Sequence, residues 1–417
     1  MATELWSRFL EKNRFLLSFM LVASTAGLGV GTAQVTISLY ALHLHATELQ
    51  MGFIAAAQSV GILLMGLPTG LLINRFGPLV LFAVGSLLGG LWYGLIPVVG
   101  QVWFLISCMV LVSFCMPLRF ISLNTVFMSN LNKLGAVKAG WFRGTHMIGY
   151  MLLGPMLAVW LLKGLSFSGS FLVIALMFTV PVMLSPLIFA NYKVDGKAAP
   201  KLNARAVVQQ LSLLKKEVTL RYTSMFELFD SAVMGYFTFF IVVIAVKNYG
   251  FSSAVAASLV TLYGSVYMAS LFGMGLFLNK LGEKLMYQLG FGLVAIGLLC
   301  LALPLSSHWL FVGSPLLGLG LGTLNVVNLS VFAGVGQRVG MANVSAMSLT
   351  FGPSGNLLGS ILGGFFGHYW GLQALFFPLA GLFFGLVWLV QFKHPFGQKT
   401  AQNDNFYTDV LTNVDGQ

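Results

Sequence analysis

Twelve long apolar runs, separated by short segments that hold nearly all of the charge, leave this chain few folds to choose from. They span residues 14–43, 48–74, 78–98, 102–130, 140–163, 167–191, 222–247, 252–279, 284–304, 308–336, 342–367 and 372–392. At about 1.5 Å per residue each is long enough, as a helix, to cross a hydrocarbon layer about 30 Å thick. Only 8% of the 417 residues are charged, against about 25% in a soluble domain. The fold class that follows is an all-α polytopic membrane protein with twelve transmembrane helices in a lipid bilayer. Its 48 glycines suit close helix packing in lipid.

The basic residues set the expected orientation. Nineteen of the 22 lysines and arginines fall on the side of the two termini, and only Lys163 and Lys247 on the other. Basic loops stay in the cytoplasm, so both termini are expected there, with the chain in the cytoplasmic (inner) membrane. The net charge of +11 lies in these short loops and does not point to nucleic acid. Cys108, Cys115 and Cys300 all lie inside apolar runs, and no metal-ligand spacing appears. The first run is too long for a cleavable leader and is expected to be retained as the first span. No phosphate-binding loop or nucleophile motif is present. We therefore expect neither an enzyme nor a cofactor, with a proton gradient as the energy source.

The two halves repeat. A shift of 205 residues aligns the stretch from Gly70 to Gly77 with that from Gly275 to Gly282. The same shift matches Gly85 with Gly290, Val126-Phe127 with Val331-Phe332, and Leu152-Leu153-Gly154 with Leu357-Leu358-Gly359. Six spans return the chain to its starting side, so the repeats run parallel, and a site is expected where they meet. The expected domains are a six-helix bundle over 1–191, a basic linker over 192–221, partly helical around 204–217, a second six-helix bundle over 222–392, and a polar tail over 393–417.

On these features the chain resembles the major facilitator superfamily over residues 14 to 392. The family's loop pattern between spans two and three, G-x-x-x-D-R-x-G-R-[KR], reads here Gly70, Asn74, Arg75 and Gly77, with Asn74 in place of the acid and no trailing basic pair. The second copy keeps Gly275, Asn279, Lys280 and Gly282. In the family this loop latches one state of the transport cycle. Span five carries part of an exporter pattern, Gly149, Gly154 and Pro155, with one residue too many between the glycines. Gly154, Pro155, Gly352 and Pro353 are candidate hinge positions. The resemblance also implies that spans one, four, seven and ten line a central cavity.

Three charges lie deep in spans: Arg119 in the fourth, Glu227 and Asp230 in the seventh. An arginine at that depth costs at least about 2.5–3.5 kcal/mol unless it faces protein or water. Asp230 and then Glu227 are its expected partners, at matching depth. Their proposed role is proton coupling, with Arg119, Asn325, Asn328, Gln34 and Thr25 as candidate substrate contacts. The expected protein is a monomeric secondary transporter for a small organic metabolite or drug, with an anionic one suggested by Arg119, proton-coupled and working as an exporter. The alternatives are a proton-linked importer of an organic acid or metal-chelating metabolite, and a sensor or assembly factor of the same fold.

Overall fold

The computed structural model describes residues 2–130, 141–190, 214–303, 306–339 and 341–392, with the backbone alone at residues 2–13 and at a few helix positions. The first four helices are α1 (Ala2–His43), α2 (Glu48–Phe76), α3 (Pro78–Val99) and α4 (Val102–Ser129). The fifth, α5, runs through Trp141–Met147, a π-helical segment Ile148–Leu153, and Gly154–Gly164. The sixth, α6, is segmented as Phe167–Met177, Val180–Leu184 and Pro186–Phe189. The second half holds α7 (Val218–Tyr249), α8 (253–281), α9 (283–302), α10 (His308–Val339), α11 (Met341–Trp370) and α12 (Phe376–Phe392). Among the described residues ten helices are long and apolar enough to span a bilayer, and Phe376–Phe392 is a shorter apolar helix.

The twelve-helix expectation therefore stands, with two shifts of boundary. The helix of the first span reaches back to Ala2 instead of beginning at residue 14, because Ala, Glu, Leu, Arg and Lys are good helix formers. The seventh begins at Val218, inside the expected linker. Most of the linker, including 204–213, and the tail lie outside the described residues.

The repeat is visible in the backbone. Gly77 (φ 80°, ψ 155°) and Gly282 (φ 76°, ψ 164°) turn the chain between α2 and α3 and between α8 and α9. Both sit in a region that L side chains rarely adopt. These are the two glycines that the 205-residue shift pairs.

Helix contacts within each half are made backbone to backbone. A Cβ added to Gly27 would lie 2.1 Å from the His146 carbonyl oxygen, and one on Gly31 would lie 2.0 Å from that of Tyr150. Facing them on α5, Gly149 meets the Ser24 carbonyl and Gly154 meets Gly31 and Thr32. In the second half Gly355 and Gly359 of α11 meet the Leu228 and Ala232 carbonyls of α7 in the same way. Gly355 and Gly359 stand four residues apart, whereas Gly149 and Gly154 stand five apart. In a regular α-helix five residues turn about 500°, leaving the two about 140° out of line. The π-helical segment Ile148–Leu153 absorbs the extra residue, and both glycines face α1.

Two faces of the molecule differ. On the face away from the termini, residues 31–41 of α1 and 236–245 of α7 are all buried. There Gly52 of α2 abuts Gly364 of α11, the Tyr236 hydroxyl donates to the Leu372 carbonyl, and Lys247 pairs with Glu48 across the two halves. On the terminal face, Phe120, Met128, Ser129, Leu329 and Ser330 on α4 and α10 are exposed. The bundles meet across the distal face through the Gly52–Gly364 approach and the Lys247–Glu48 pair.

Replacing Gly31 with Val is expected to abolish the folded, monodisperse species in size-exclusion chromatography. Gly70→Ala, where nothing lies within 4 Å of an added Cβ, is expected to elute as the parent does.

Candidate functional site

Glu227 and Asp230 lie three residues apart on α7 and share a face of the helix. Asn328 of α10 reaches both. Its Nδ2 donates to Asp230 Oδ2 at 2.9 Å and to Glu227 Oε2 at 3.3 Å. Its Oδ1 accepts from the Tyr287 hydroxyl of α9 at 2.8 Å. All four are buried, and Tyr287 fully so. The other carboxylate oxygen, Asp230 Oδ1, is buried with no hydrogen-bond partner among the described residues. A Cβ on Gly352 of α11 would come within 3.6 Å of Glu227 Oε1 and Ser231 Oγ, so that glycine leaves space beside the acid. The arrangement places a pair of carboxyls on one amide, with an acceptor atom left over.

The repeat shows how unusual this is. The 205-residue shift pairs Glu227, Tyr287 and Asn328 with Val22, Phe82 and Leu123. Those three belong to one apolar cluster in the first bundle. The second bundle thus holds an acid, a phenol and an amide where the first holds three hydrocarbon side chains. Burying polar groups without necessity costs stability, so packing alone does not account for them.

Arg119 overturns the expected ion pair. Its Nε donates to Ser86 Oγ of α3 at 3.0 Å and its Nη2 to the Ala26 carbonyl of α1 at 3.4 Å. Nη1 lies 3.9 Å from the Met116 sulfur, and the guanidinium sits 4.0 Å from the centroid of the Phe178 ring of α6, a cation–π distance. All of these partners belong to the first bundle, and neither Asp230 nor Glu227 is among them. Depth along the helix matched, but the azimuth did not. The repeat explains the slot: Gly85 faces Leu118 and Arg119, as its partner Gly290 faces Leu324. Where the first bundle has Arg119, Ser86 and Phe178, the second has Leu324, Phe291 and Phe383, the two phenylalanines edge to face at 5.7 Å. Arg119 occupies a packing slot within its own bundle.

The remaining candidates separate. Gln34 lines a cavity of about 10 Å³ between the halves, with Tyr150, Thr238 and Val260. The Thr25 hydroxyl is spent on the Leu21 and Val22 carbonyls of its own helix. Asn325 is half-buried, one turn before Asn328. In the loop motif, Asn74, Arg75 and Lys280 are exposed; Arg75 stacks on Phe76 at 5.2 Å and pairs with no acid among the described residues. The Asn279 side chain lies outside the described residues. Gly70 and Gly275 have open space around them. Gly154 and Pro155 directly follow the π-helical segment, and Gly352 and Pro353 lie inside unbroken α11. Sequence reasoning missed Tyr287 and Tyr150. Pairing Tyr287 with Phe82 through the repeat would have singled out the first; nothing in the sequence marked the second.

The comparisons agree with this architecture. The family model described as Major Facilitator Superfamily matches residues 19–246 and 228–406. No curated protein matches. Among solved structures, a mutant of the nucleoside transporter NupG is similar, with a TM-score of 0.76 at 15% identity, over 90% of this chain and 99% of that one. A POT family transporter in complex with 5-aminolevulinic acid has a TM-score of 0.73 at 13% identity, over 91% and 95%. The human organic anion transporter MFSD10 has a TM-score of 0.65 at 16% identity, over 91% and 99%. At these identities the likeness is one of fold.

Two substitution sets test the reading of the cluster. Glu227→Val, Asp230→Thr, Tyr287→Phe and Asn328→Leu together restore the residues that the first bundle has at these positions and remove both carboxyls along with their partners. This quadruple variant is expected to melt at or above the parent temperature, since exchanging a whole buried ionic cluster for well-packed residues is often neutral or stabilising by about 1–4 kcal/mol. Asn328→Leu alone takes the amide donor from Asp230 Oδ2 and Glu227 Oε2 and is expected to cost about 1.5–3 kcal/mol, read as a lower melting temperature. Arg119→Leu, matching Leu324, is expected to leave a folded protein.

Proposed function

The chain belongs to the Major Facilitator Superfamily and is a membrane transporter of that type; from this premise we propose that it is a proton-coupled secondary transporter that exports a small organic molecule by alternating access. The observation that carries the reading is Asp230, a buried carboxyl on α7 whose Oδ1 has no hydrogen-bond partner among the described residues while its Oδ2 rests on Asn328. A carboxylate only accepts hydrogen bonds, whereas a protonated carboxyl also donates one. Proton uptake at Asp230 therefore changes what Asn328 can hold, and with it the fit of α7 against α10 and α9. The same helix carries Tyr236 and Lys247 to the distal closure. A rigid helix with the proton site at its middle and the closure at its far end links the two events.

With the termini in the cytoplasm, as the basic loops favour, the distal face is the outer one, and substrate enters from the cell interior at the terminal face. Export is further supported by α5. Its π-helical segment brings Gly149 and Gly154 onto one face against α1, so the residue that lengthens the exporter pattern does not displace the glycines. The working unit is a monomer, with the proton gradient as its only energy source and no cofactor. The anionic substrate suggested by Arg119 loses its support, because that guanidinium is enclosed by Ser86, Ala26, Met116 and Phe178.

The test is flux in proteoliposomes. An imposed pH gradient is expected to drive uptake of a compound from a broad metabolite mixture, and Asp230→Asn to abolish that drive while leaving downhill exchange. Glu227→Gln is expected to reduce it. Gradient-driven flux that survives both substitutions would refute the coupling.

A further inference from the structure

The Asn328 amide meets carboxyl oxygens with one end and a hydroxyl with the other. Its Nδ2 donates to Asp230 Oδ2 at 2.9 Å and to Glu227 Oε2 at 3.3 Å, and its Oδ1 accepts from the Tyr287 hydroxyl at 2.8 Å. An ionised carboxylate only accepts, so it holds the NH2 end toward itself. Tyr287 is fully buried, and its ring packs on Phe226 and Phe291 with centroids 5.2 and 5.6 Å away. The ring is fixed, and the hydroxyl hydrogen is the part that can turn. A second acceptor stands beside it. Thr223, one turn before Glu227 on α7, hydrogen-bonds the same phenol. Its own hydrogen is turned to the Thr219 carbonyl at 2.9 Å, which leaves its oxygen to accept.

A proton on Asp230 does not fit this arrangement. On Oδ2 the new O–H would meet the NH2 of Asn328, donor against donor. On Oδ1 it would find no acceptor, since that atom has no hydrogen-bond partner among the described residues. Turning the amide over about its last bond removes the conflict. Its oxygen and nitrogen ends are nearly alike in shape, so the turn needs no extra room. Oδ1 then accepts from Asp230, Nδ2 donates to the Tyr287 oxygen, and the phenol's hydrogen passes to Thr223 Oγ1. Glu227 has the longer bond to the amide and gives it up, with the space beside Gly352 and Ser231 to turn into. Around the acids, Tyr287 of α9 and Tyr263 of α8 titrate, and Glu283, one turn before Tyr287, lies in electrostatic reach of that phenol. From α10 and α11 come Asn328 and Gly352, which do not titrate.

We propose that Asn328 and Tyr287 are positioning residues that read the protonation of Asp230: the amide turns over when the acid takes up its proton, and the Tyr287 hydroxyl moves its hydrogen bond from α10 to α7. The inference rests on the proton-coupling reading above and says how the proton is felt. Three hydrogen bonds are made in either arrangement, so neither wastes a buried polar group and the proton decides between them. Uptake exchanges the link from Glu227 to α10 for one from Thr223 to α9. The grip on α7 changes while the helix stays in contact with both neighbours.

The experiment is infrared difference spectroscopy of the full-length protein in lipid nanodiscs, titrated with acid, on samples carrying isotope-labelled asparagine or tyrosine. As a carboxyl band appears, an asparagine side-chain band and a tyrosine C–O band are expected to shift with the same midpoint. Both shifts are expected to vanish in Asp230→Asn, and the tyrosine shift alone in Tyr287→Phe. Thr223→Val removes an acceptor that only the protonated arrangement uses. It is expected to weaken proton uptake about tenfold, moving the midpoint about one pH unit lower; a static contact between Tyr287 and Asn328 would leave that midpoint unchanged. The labelled parent needs no substitution, so a variant that fails to fold leaves the test standing. The proposal is overturned if a carboxyl titrates while neither labelled band moves, if the tyrosine shift survives Tyr287→Phe, if folded Thr223→Val keeps the parent midpoint, or if no carboxyl titrates. The titration needs no gradient, so the two readings fail separately. Shifting bands without gradient-driven flux remove the coupling alone, and gradient-driven flux with unmoved bands removes the switch alone.

Discussion

A charge inside a bilayer must be enclosed, and in this protein each bundle encloses its own. The first wraps Arg119 in a hydroxyl, a carbonyl, a thioether and an aromatic face. The second wraps Glu227 and Asp230 around one asparagine amide, itself steadied by a tyrosine. Opposite charges therefore stay on opposite sides of the interface without being locked together. Had Arg119 and Asp230 formed a direct pair, separating them during an opening motion would have meant stranding two ions in a medium of low dielectric, at a cost of several kcal/mol per ion. Satisfying each charge inside its own rigid body leaves the bundles able to move without that penalty.

The internal repeat makes the argument quantitative in kind. The two bundles share one plan, and among their buried positions two clusters set polar groups against apolar ones. Val22, Phe82 and Leu123 against Glu227, Tyr287 and Asn328 is one such difference. Leu324, Phe291 and Phe383 against Arg119, Ser86 and Phe178 is the other. The two exchanges fall in different slots, so neither bundle is simply the inverse of the other. Each keeps an intact apolar cluster where its partner is polar, which helps it remain a unit.

Much of this fold was legible in the amino-acid sequence, because span length, basic-loop bias and repeat offset are one-dimensional signals. The turn glycines Gly77 and Gly282 could be named from the alignment alone, and they adopt the same conformation. The candidate site was half legible. Glu227, Asp230 and Asn328 stood out as polar groups at depth, and the structure brings those three together. Arg119 stood out for the same reason, yet depth along a helix says nothing of direction around it. Its direction was set by what packs beside Gly85, a contact between α3 and α4 that no periodicity reveals. Asn328 was read as a contact for the transported molecule; in the structure both of its amide hydrogens go to Glu227 and Asp230, and its oxygen accepts from Tyr287. Tyr150 was invisible for another reason: its placement depends on a π-helical segment, which sequence periodicity assumes away.

That segment has a consequence for how α5 tolerates change. The helix has two angular phases, one before Ile148 and one after Leu153, joined by a single wide turn. A deletion within it would return the helix to one phase and rotate everything on the terminal side by about 100°, the angle per residue of an α-helix. His146, whose ring nitrogen now meets the Ala23 carbonyl at 3.3 Å, would swing away from α1, while Pro155 and the distal half stayed in place. The extra residue therefore works as a fixed angular offset, and the length of this one helix is constrained by the separate partners of its two ends.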